Sequence, residues 1–122
     1  MKILIVDDSK LSRTIILKRM PPEIKSAATI FQGSNGEEAV SLYKEHSPDI
    51  VFLDLTMSVM DGFEALSHIM AHDAQATVYV VTADIQAKSK EKVMASGATS
   101  VETKPISEER LAEIFASLPR SE

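Results

Sequence analysis

The sequence contains no cysteine and no tryptophan among its 122 residues. Without cysteine, the chain can form neither a disulfide framework nor a thiolate metal site. Long apolar runs are missing as well: the apolar segment 3–6 ends at Asp7 and is too short for a signal peptide or a membrane span. These absences predict a soluble, cytoplasmic protein that is not bound to a membrane.

An excess of positive charge is also lacking. The chain has 13 lysines and arginines against 18 aspartates and glutamates, for a net charge of −5. Such a balance argues against direct binding to the phosphate backbone of a nucleic acid. The apolar fraction of 44% is close to the globular norm, and the length suits one folded domain, which we place at residues 1–122.

Short runs rich in branched residues predict the strands of a sheet. The three strongest do not alternate polar with apolar residues, which is typical of parallel strands covered by helices on both faces. The predicted strands are residues 3–6, 27–32 (the weakest), 49–53, 77–81 and 99–103.

Segments between the strands carry helical spacing and recognisable ends. Ser9 or Asp8 can cap the first helix, and Asn35 with Glu38 resembles a capping box. Gly97 is suited to end the fourth helix. The predicted helices are residues 9–20, 35–46, 62–71, 86–96 and 107–118. Regular alternation of strands and helices predicts an α/β fold with right-handed crossovers.

Polar side chains follow four of the predicted strands. Asp7 and Asp8 follow the first, Asp54 the third, Thr82 the fourth and Lys104 the fifth. Ligands of open α/β sheets bind at this carboxyl edge. Clustered carboxylates repel one another unless a cation joins them, and an all-oxygen site suits Mg²⁺. A nearby ammonium suits a phosphoryl oxygen, so the pattern favours Asp54 as a nucleophile that accepts a phosphoryl group.

These motifs, together with Met60-Asp61-Gly62 and Lys104-Pro105, resemble those of the receiver domains of two-component response regulators. The resemblance extends over essentially the whole chain and is strongest to the single-domain chemotaxis regulators. It implies a doubly wound, five-stranded parallel sheet of flavodoxin-like order 2-1-3-4-5, with helices on both faces.

The resemblance also implies the ligands of the magnesium ion. Asp54 is the phosphoacceptor and a metal ligand, and Asp8 binds the metal directly. The backbone carbonyl of Thr56 completes the protein ligands, while Asp7 holds the ion through water.

A phosphorylation-driven switch is the implied function. Lys104 pairs with the phosphoryl group, Thr82 hydrogen-bonds to it after the switch, and the bond before Pro105 is cis. The phosphoryl group comes from a histidine kinase or a histidine phosphotransfer protein. The surface of the fourth predicted helix, fifth strand and fifth predicted helix then regulates a downstream protein or an attached output domain. Such a protein is no enzyme beyond its own phosphotransfer and autodephosphorylation.

Two positions depart from the resemblance. Ser58 stands where proline is common, four residues after Asp54. Val101 stands where many receiver domains carry tyrosine or phenylalanine, three residues before Lys104. That aromatic residue is associated with signalling the movement of Thr82, so its absence predicts an output that is read without an aromatic switch.

Two other functions fit the sequence less well. A phosphatase of the haloacid dehalogenase type has a second aspartate two residues after its nucleophile, where this chain has Thr56. A receiver-like interaction module without phosphorylation is the other alternative, but the site residues are all retained. A nucleotide-binding module is excluded because the first strand-to-helix turn lacks glycine and so allows no close approach of a pyrophosphate.

Other polar groups are expected to be structural. His68 and His72 have the spacing of a metal pair but no apparent third ligand. The basic residues of the first helix are expected to form a solvated face, with an acidic partner as the less favoured reading. These are Lys10, Arg13, Lys18 and Arg19.

Overall fold

The computed structural model describes residues 1–83 and 86–118, in which five strands alternate with six helices. Part of the loop after the fourth strand and the end of the expected domain, 119–122, lie outside the described residues. No helix in the described part of the chain is long and apolar enough to cross a membrane. The elements are β1 Lys2–Val6, α1 Lys10–Arg19, α2 Pro22–Ala27, β2 Thr29–Gly33, α3 Gly36–His46, β3 Ile50–Leu53, α4 Gly62–His72, β4 Val78–Thr82, α5 Ala87–Ala95, β5 Ser100–Thr103 and α6 Glu108–Ser117.

All five strands are parallel and lie in the order β2-β1-β3-β4-β5, which confirms the expected fold. The register pairs Val6 with Leu53, and Leu53 with Val80, so the carboxyl ends of β1 and β3 are level. Because these two strands are neighbours although three helices and another strand separate them in sequence, the residues that follow them meet at one edge of the sheet.

Each face of the sheet packs against its own group of helices. Strands β1, β3 and β4 are buried on both faces, as their unbroken apolar sequences predicted. Residues of α1 and α6 form the core on one face, with Ile16, Leu111, Ile114 and Phe115 buried against the sheet. Residues of α3, α4 and α5 form the other, where Leu66, Ile69 and Val93 are fully enclosed.

The predicted helices are present, but the sequence did not reveal α2. We expected Pro21 and Pro22 only to end the first helix. Pro22 instead begins a helix of six residues, because proline suits a first helical turn, where its missing N–H group has no helical partner. The fourth and fifth predicted helices are therefore α5 and α6 of the structure.

The helix ends follow their capping residues closely. Ser9, Asn35, Asp61 and Ser107 each accept a hydrogen bond from the backbone N–H group three residues ahead. The predicted capping box differs in one contact, since the Glu38 carboxylate accepts from the N–H group of Ser34 and not from that of Asn35.

Gly62 packs the start of α4 directly against the end of β3. Its N–H group donates to the carbonyl of Leu55 at 2.9 Å. A Cβ atom at this position would lie 2.1 Å from the carbonyl oxygen of Asp54 and 2.7 Å from the Cα atom of Leu55. Because real Cβ contacts are never this short, only glycine allows α4 to approach the backbone of Asp54.

Replacing Gly62 with alanine is expected to displace the loop after Asp54 and to lower the free energy of unfolding by about 1–3 kcal/mol, a typical cost of overpacking. Gly33→Ala is the matched control, because a Cβ atom there would meet only side chains, at 3.4 Å or more. Urea unfolding followed by circular dichroism measures both variants. Equal losses of stability would show that the contact with Asp54 is not the constraint.

Candidate functional site

Asp7 and Asp54 extend the sheet by one residue beyond the ends of β1 and β3. The N–H group of Asp7 donates to the carbonyl of Gly33 at 3.1 Å, and that of Asp54 donates to the carbonyl of Val6 at 3.0 Å. Both aspartates are buried, while Asp8 is exposed. The backbone ladder of the sheet therefore fixes the two buried carboxylates, and Asp8 reaches the site from the loop beyond.

The three aspartates form a compact oxygen cluster. One carboxylate oxygen from each of Asp7, Asp8 and Asp54 lies within 4.8 Å of the others. A set of hard oxygen donors that is partly open to water fits Mg²⁺, which keeps several of its own water molecules. The predicted carboxylates are thus brought together, and their chemistry fits the expected ion.

Lys104 follows β5, which is an edge strand of the sheet, and its side chain reaches the aspartate cluster. Its Nζ atom is 2.6 Å from Oδ2 of Asp7 and 3.3 Å from Oδ1 of Asp54. The N–H group of Lys104 donates to the carbonyl of Thr82 at 2.9 Å, which fixes the lysine just past the end of β5. The ammonium group is therefore shared by both buried aspartates, with the shorter contact to Asp7. The peptide bond between Lys104 and Pro105 is cis, as the resemblance implied.

The buried carboxylate of Asp54 is electrostatically destabilised. Burial and the neighbouring charge of Asp7 raise the pKa of Asp54, although Lys104 and the N–H group of Thr56 oppose this shift. Burial alone would lower the pKa of Lys104, but its contacts with Asp7 and Asp54 raise it above the usual value. Lys104 is thus held as an ammonium, which leaves the cluster of three acids short of positive charge.

Thr82 and Thr56 complete the set of residues expected at the site. Thr82 is buried at the end of β4, one strand away from Asp54. Thr56 is exposed in the loop after β3, with its N–H group hydrogen-bonded to the Asp54 carboxylate. Their expected contacts, with a phosphoryl group for Thr82 and with a metal for the Thr56 carbonyl, stay predictions.

The loop after Asp54 also contains the Ser58 departure. The carbonyl of Ser58 accepts a hydrogen bond from the N–H group of Met60 at 2.8 Å. Val59 between them has a φ of 69° and is 75% exposed. A β-branched residue rarely adopts this left-handed conformation, so the backbone at Val59 is strained close to the site.

The ion pair between the buried Glu102 of β5 and the half-exposed Arg110 of α6 is a feature that the sequence did not reveal. Glu102 accepts hydrogen bonds from Nε and Nη2 of Arg110 at 2.7 and 3.0 Å, and from the hydroxyl of Ser100 at 2.8 Å. Burial would raise the pKa of Glu102, but these hydrogen bonds lower it below the usual value. The pair joins β5 to α6. An acidic residue inside a short predicted strand was the available signal.

The basic residues of α1 do not all form a solvated face, which corrects the expectation. Arg13 donates through Nη1 to the carbonyl of Asp7 and through Nε to Oε1 of Gln32 at 3.0 Å. Arg19 donates to the carbonyl of Ile106 at 2.9 Å. Lys10 and Lys18 are exposed. The two arginines therefore bind the backbone near the ends of β1 and β5.

The histidines lie outside the acidic cluster. His68 is 3.9 Å from Glu64, and His72 packs edge-on against Tyr43 with ring centres 6.3 Å apart. His46 stacks on Phe31 with ring centres 3.9 Å apart. Within residues 1–83 and 86–118, the aspartate cluster is the group of three or more acidic or histidine side chains arranged to hold a metal.

Comparison with known proteins identifies relatives over nearly the whole chain. Residues 3–116 match the family model of the response regulator receiver domain. The chemotaxis protein CheY of Listeria monocytogenes is 39% identical over 113 residues, which cover 93% of each chain. A segment of the histidine-protein kinase BarA of Escherichia coli is 32% identical over 118 residues, covering 88% of this chain and 13% of the kinase.

A solved structure gives the same result for the fold. In the crystal structure of the complex of CheX, CheY, BeF₃ and Mg²⁺ from Borrelia burgdorferi, one chain superposes with a TM-score of 0.82 at 32% identity. The match covers 93% of this chain and 88% of that one.

The raised pKa of Asp54 predicts how the stability of the metal-free protein depends on pH. The folded state holds the Asp54 proton more tightly than the unfolded chain, so stability is lost as the pH rises through the raised pKa. Asp54→Asn should therefore raise the melting temperature at pH 7 in the presence of a chelator, and this gain should shrink towards about pH 4.

Glu102→Gln serves as the control of opposite sign. The pKa of Glu102 is lowered, so its carboxylate stabilises the fold above the usual glutamate range. Its replacement should lower the melting temperature at pH 7 and have less effect in acid. A loss of stability at pH 7 in Asp54→Asn would contradict the electrostatic account of the site.

Proposed function

The chain belongs to the response regulator receiver domain family, and we propose that Asp54 is its phosphoacceptor. A receiver domain is a phosphorylation-dependent switch of two-component signalling, and that is the function of this chain. The family is one of signalling proteins and not of ordinary enzymes. The observation that carries our assignment is the burial of Asp54 at the carboxyl edge, 3.3 Å from the ammonium of Lys104 and beside the two other aspartates.

The reaction at Asp54 moves a phosphoryl group from a histidine nitrogen of the donor to a carboxylate oxygen of this chain. A carboxylate oxygen of Asp54 forms a bond to phosphorus, while the bond from phosphorus to the histidine nitrogen of the donor breaks. The electron pair of the broken bond stays on that nitrogen. Hydrolysis of the resulting acyl phosphate at the same site would reset the switch. A histidine-protein kinase contains a segment similar to this chain. The presence of both parts in one protein supports a donor of the histidine kinase class.

The metal site that we propose uses Asp8 and Asp54 as direct ligands, with the Thr56 carbonyl as a third and Asp7 acting through water. When bound, Mg²⁺ neutralises the charge on the phosphoryl oxygens. The oxygen cluster within 4.8 Å supports this arrangement. The short contact of Asp7 with Lys104 also supports a secondary role for Asp7, because its Oδ2 atom already accepts from the ammonium at 2.6 Å.

Lys104 and Thr82 are proposed to convert phosphorylation into a change of shape. A phosphoryl group on Asp54 offers Lys104 a stronger acceptor than the carboxylate alone. Thr82, buried at the end of the adjacent strand, would hydrogen-bond to the same group. The loop that follows Thr82 leads into α5, although residues 84 and 85 lie outside the described part of the chain.

The surface of α5, β5 and α6 is the proposed output. Glu102 lies two residues before Lys104, and its hydrogen bonds with Arg110 connect β5 to α6. A shift of Lys104 along β5 would therefore reach α6 through this pair. Val101, with a short side chain and one dominant rotamer, offers no large swing of its own.

Phosphorylation of Asp54 can be tested with a small phosphodonor and Mg²⁺. Wild-type protein should gain one acid-labile phosphoryl group, measured by intact mass, and Asp54→Asn should gain none. Asp49→Asn is the matched control, because Asp49 directly precedes the same strand at its opposite end. Modification of Asp54→Asn at Thr56 or Ser58 would overturn the assignment, and the absence of any modification in wild type would favour a receiver-like module without phosphorylation.

Val101→Ala tests whether the output needs this side chain. The variant should accept phosphate, and its phosphorylation-dependent amide shifts in α5 and α6 should be nearly those of wild type. Lys104→Ala should also accept phosphate from a strong donor but lose the distant shifts. If Val101→Ala abolishes the shifts or partner binding while Asp54 is still phosphorylated, Val101 itself transmits or makes the contact.

A further inference from the structure

Arg13 connects the acidic pair to the neighbouring strand. Its Nη1 atom donates to the backbone carbonyl of Asp7, and its Nε atom donates to Oε1 of Gln32 on β2 at 3.0 Å. The guanidinium group is a planar fork, so two simultaneous hydrogen bonds fix its orientation. Arg13 therefore ties the peptide group between Asp7 and Asp8 to β2.

The other polar groups of Asp7 are held by the main chain or by Lys104. Its N–H group donates to Gly33, and its Oδ1 atom accepts from the N–H group of Ser9 at 2.9 Å. Oδ2 accepts from Lys104. The carbonyl oxygen of Asp7 is thus held by its hydrogen bond from Arg13. The plane of this peptide group determines the direction in which the chain continues to Asp8.

Asp8 is the acid of the cluster with the least support. It is exposed, and no described hydrogen bond or ion pair within residues 1–83 and 86–118 holds its carboxylate. A flexible ligand must be ordered when it binds a cation, which weakens binding. The folded chain can therefore orient the Asp8 carboxylate before a cation binds through the backbone that precedes Asp8.

We propose that Arg13 is a positioning residue for magnesium binding, acting through the Asp7–Asp8 peptide group on the carboxylate of Asp8. The inference rests on the proposed function of the site. The inference goes beyond that function because it assigns a favourable effect on cation binding to Arg13, a residue that itself carries a positive charge.

Charge and positioning predict effects of opposite sign. A positive side chain near a cation site repels the ion, so removing it should strengthen Mg²⁺ binding if only its charge matters. If Arg13 instead orders Asp8, its removal should weaken binding, and residues that orient metal ligands typically change affinity by about 10–100-fold. The direction of the change therefore decides between the two explanations.

Isothermal titration with Mg²⁺ alone tests the proposal. Arg13→Gln should bind about tenfold more weakly than wild type. Arg13→Lys keeps the charge but not the planar fork, so it should also bind more weakly. Gln32→Ala changes no charge and should weaken binding in the same direction by freeing the guanidinium. Lys10→Gln, an exposed change of charge on the same helix, should bind as tightly as wild type or slightly more tightly.

Thermal melts with a chelator accompany each titration, so that affinities are compared only between folded proteins. Unchanged or stronger binding in Arg13→Gln, or wild-type binding in Arg13→Lys, would overturn the positioning role. If wild type itself binds no Mg²⁺, the proposed metal site fails, and this outcome is separate from a failure that is confined to Arg13.

Discussion

The burial of Asp54 beside Asp7, with one ammonium group shared between them, is the constraint on which the site depends. A buried carboxylate is costly unless it is paired and hydrogen-bonded, and here Lys104 must serve both aspartates. The pKa of Asp54 is raised, by burial and then by Asp7, which shows that this compensation is incomplete. The remaining negative charge at this edge of the sheet is the electrostatic basis of the magnesium site that we propose.

Much of the fold and the site could be predicted because both follow from local patterns and general rules of topology. Unbroken apolar runs indicate buried parallel strands, and parallel strands bring the residues after them to one edge. Asp7, Asp8, Asp54, Thr82 and Lys104 could therefore be assigned to one rim before their distances were known. The need for glycine after Met60-Asp61 could not be derived in this way, because the close approach of α4 to the Asp54 backbone is a tertiary contact.

The features that escaped prediction depend on tertiary distances. Helix α2 begins at the second of two prolines, and such a pair indicates the end of a helix as readily as its beginning. Arg13 and Arg19 have the spacing of a solvated face, but their long side chains reach strand ends that periodicity does not position. The preference of Lys104 for Asp7 is likewise a matter of tenths of an ångström, which no sequence pattern contains.

Glu102 bears on how a change at the site reaches the surface. Alternate residues of a strand face the same side, so Glu102 and Lys104 share the face of the sheet that packs against α1 and α6. The hydrogen bonds from Arg110 are directional and leave the carboxylate little freedom, so α6 must follow a displacement of β5 or lose a buried partner. Val101 faces the opposite side and contacts the core beneath α3, α4 and α5. One face of β5 therefore carries the polar link between Glu102 and Arg110, and the other carries the small apolar side chain of Val101. This arrangement favours transmission of a change by the backbone of β5 over transmission by rotation of a side chain.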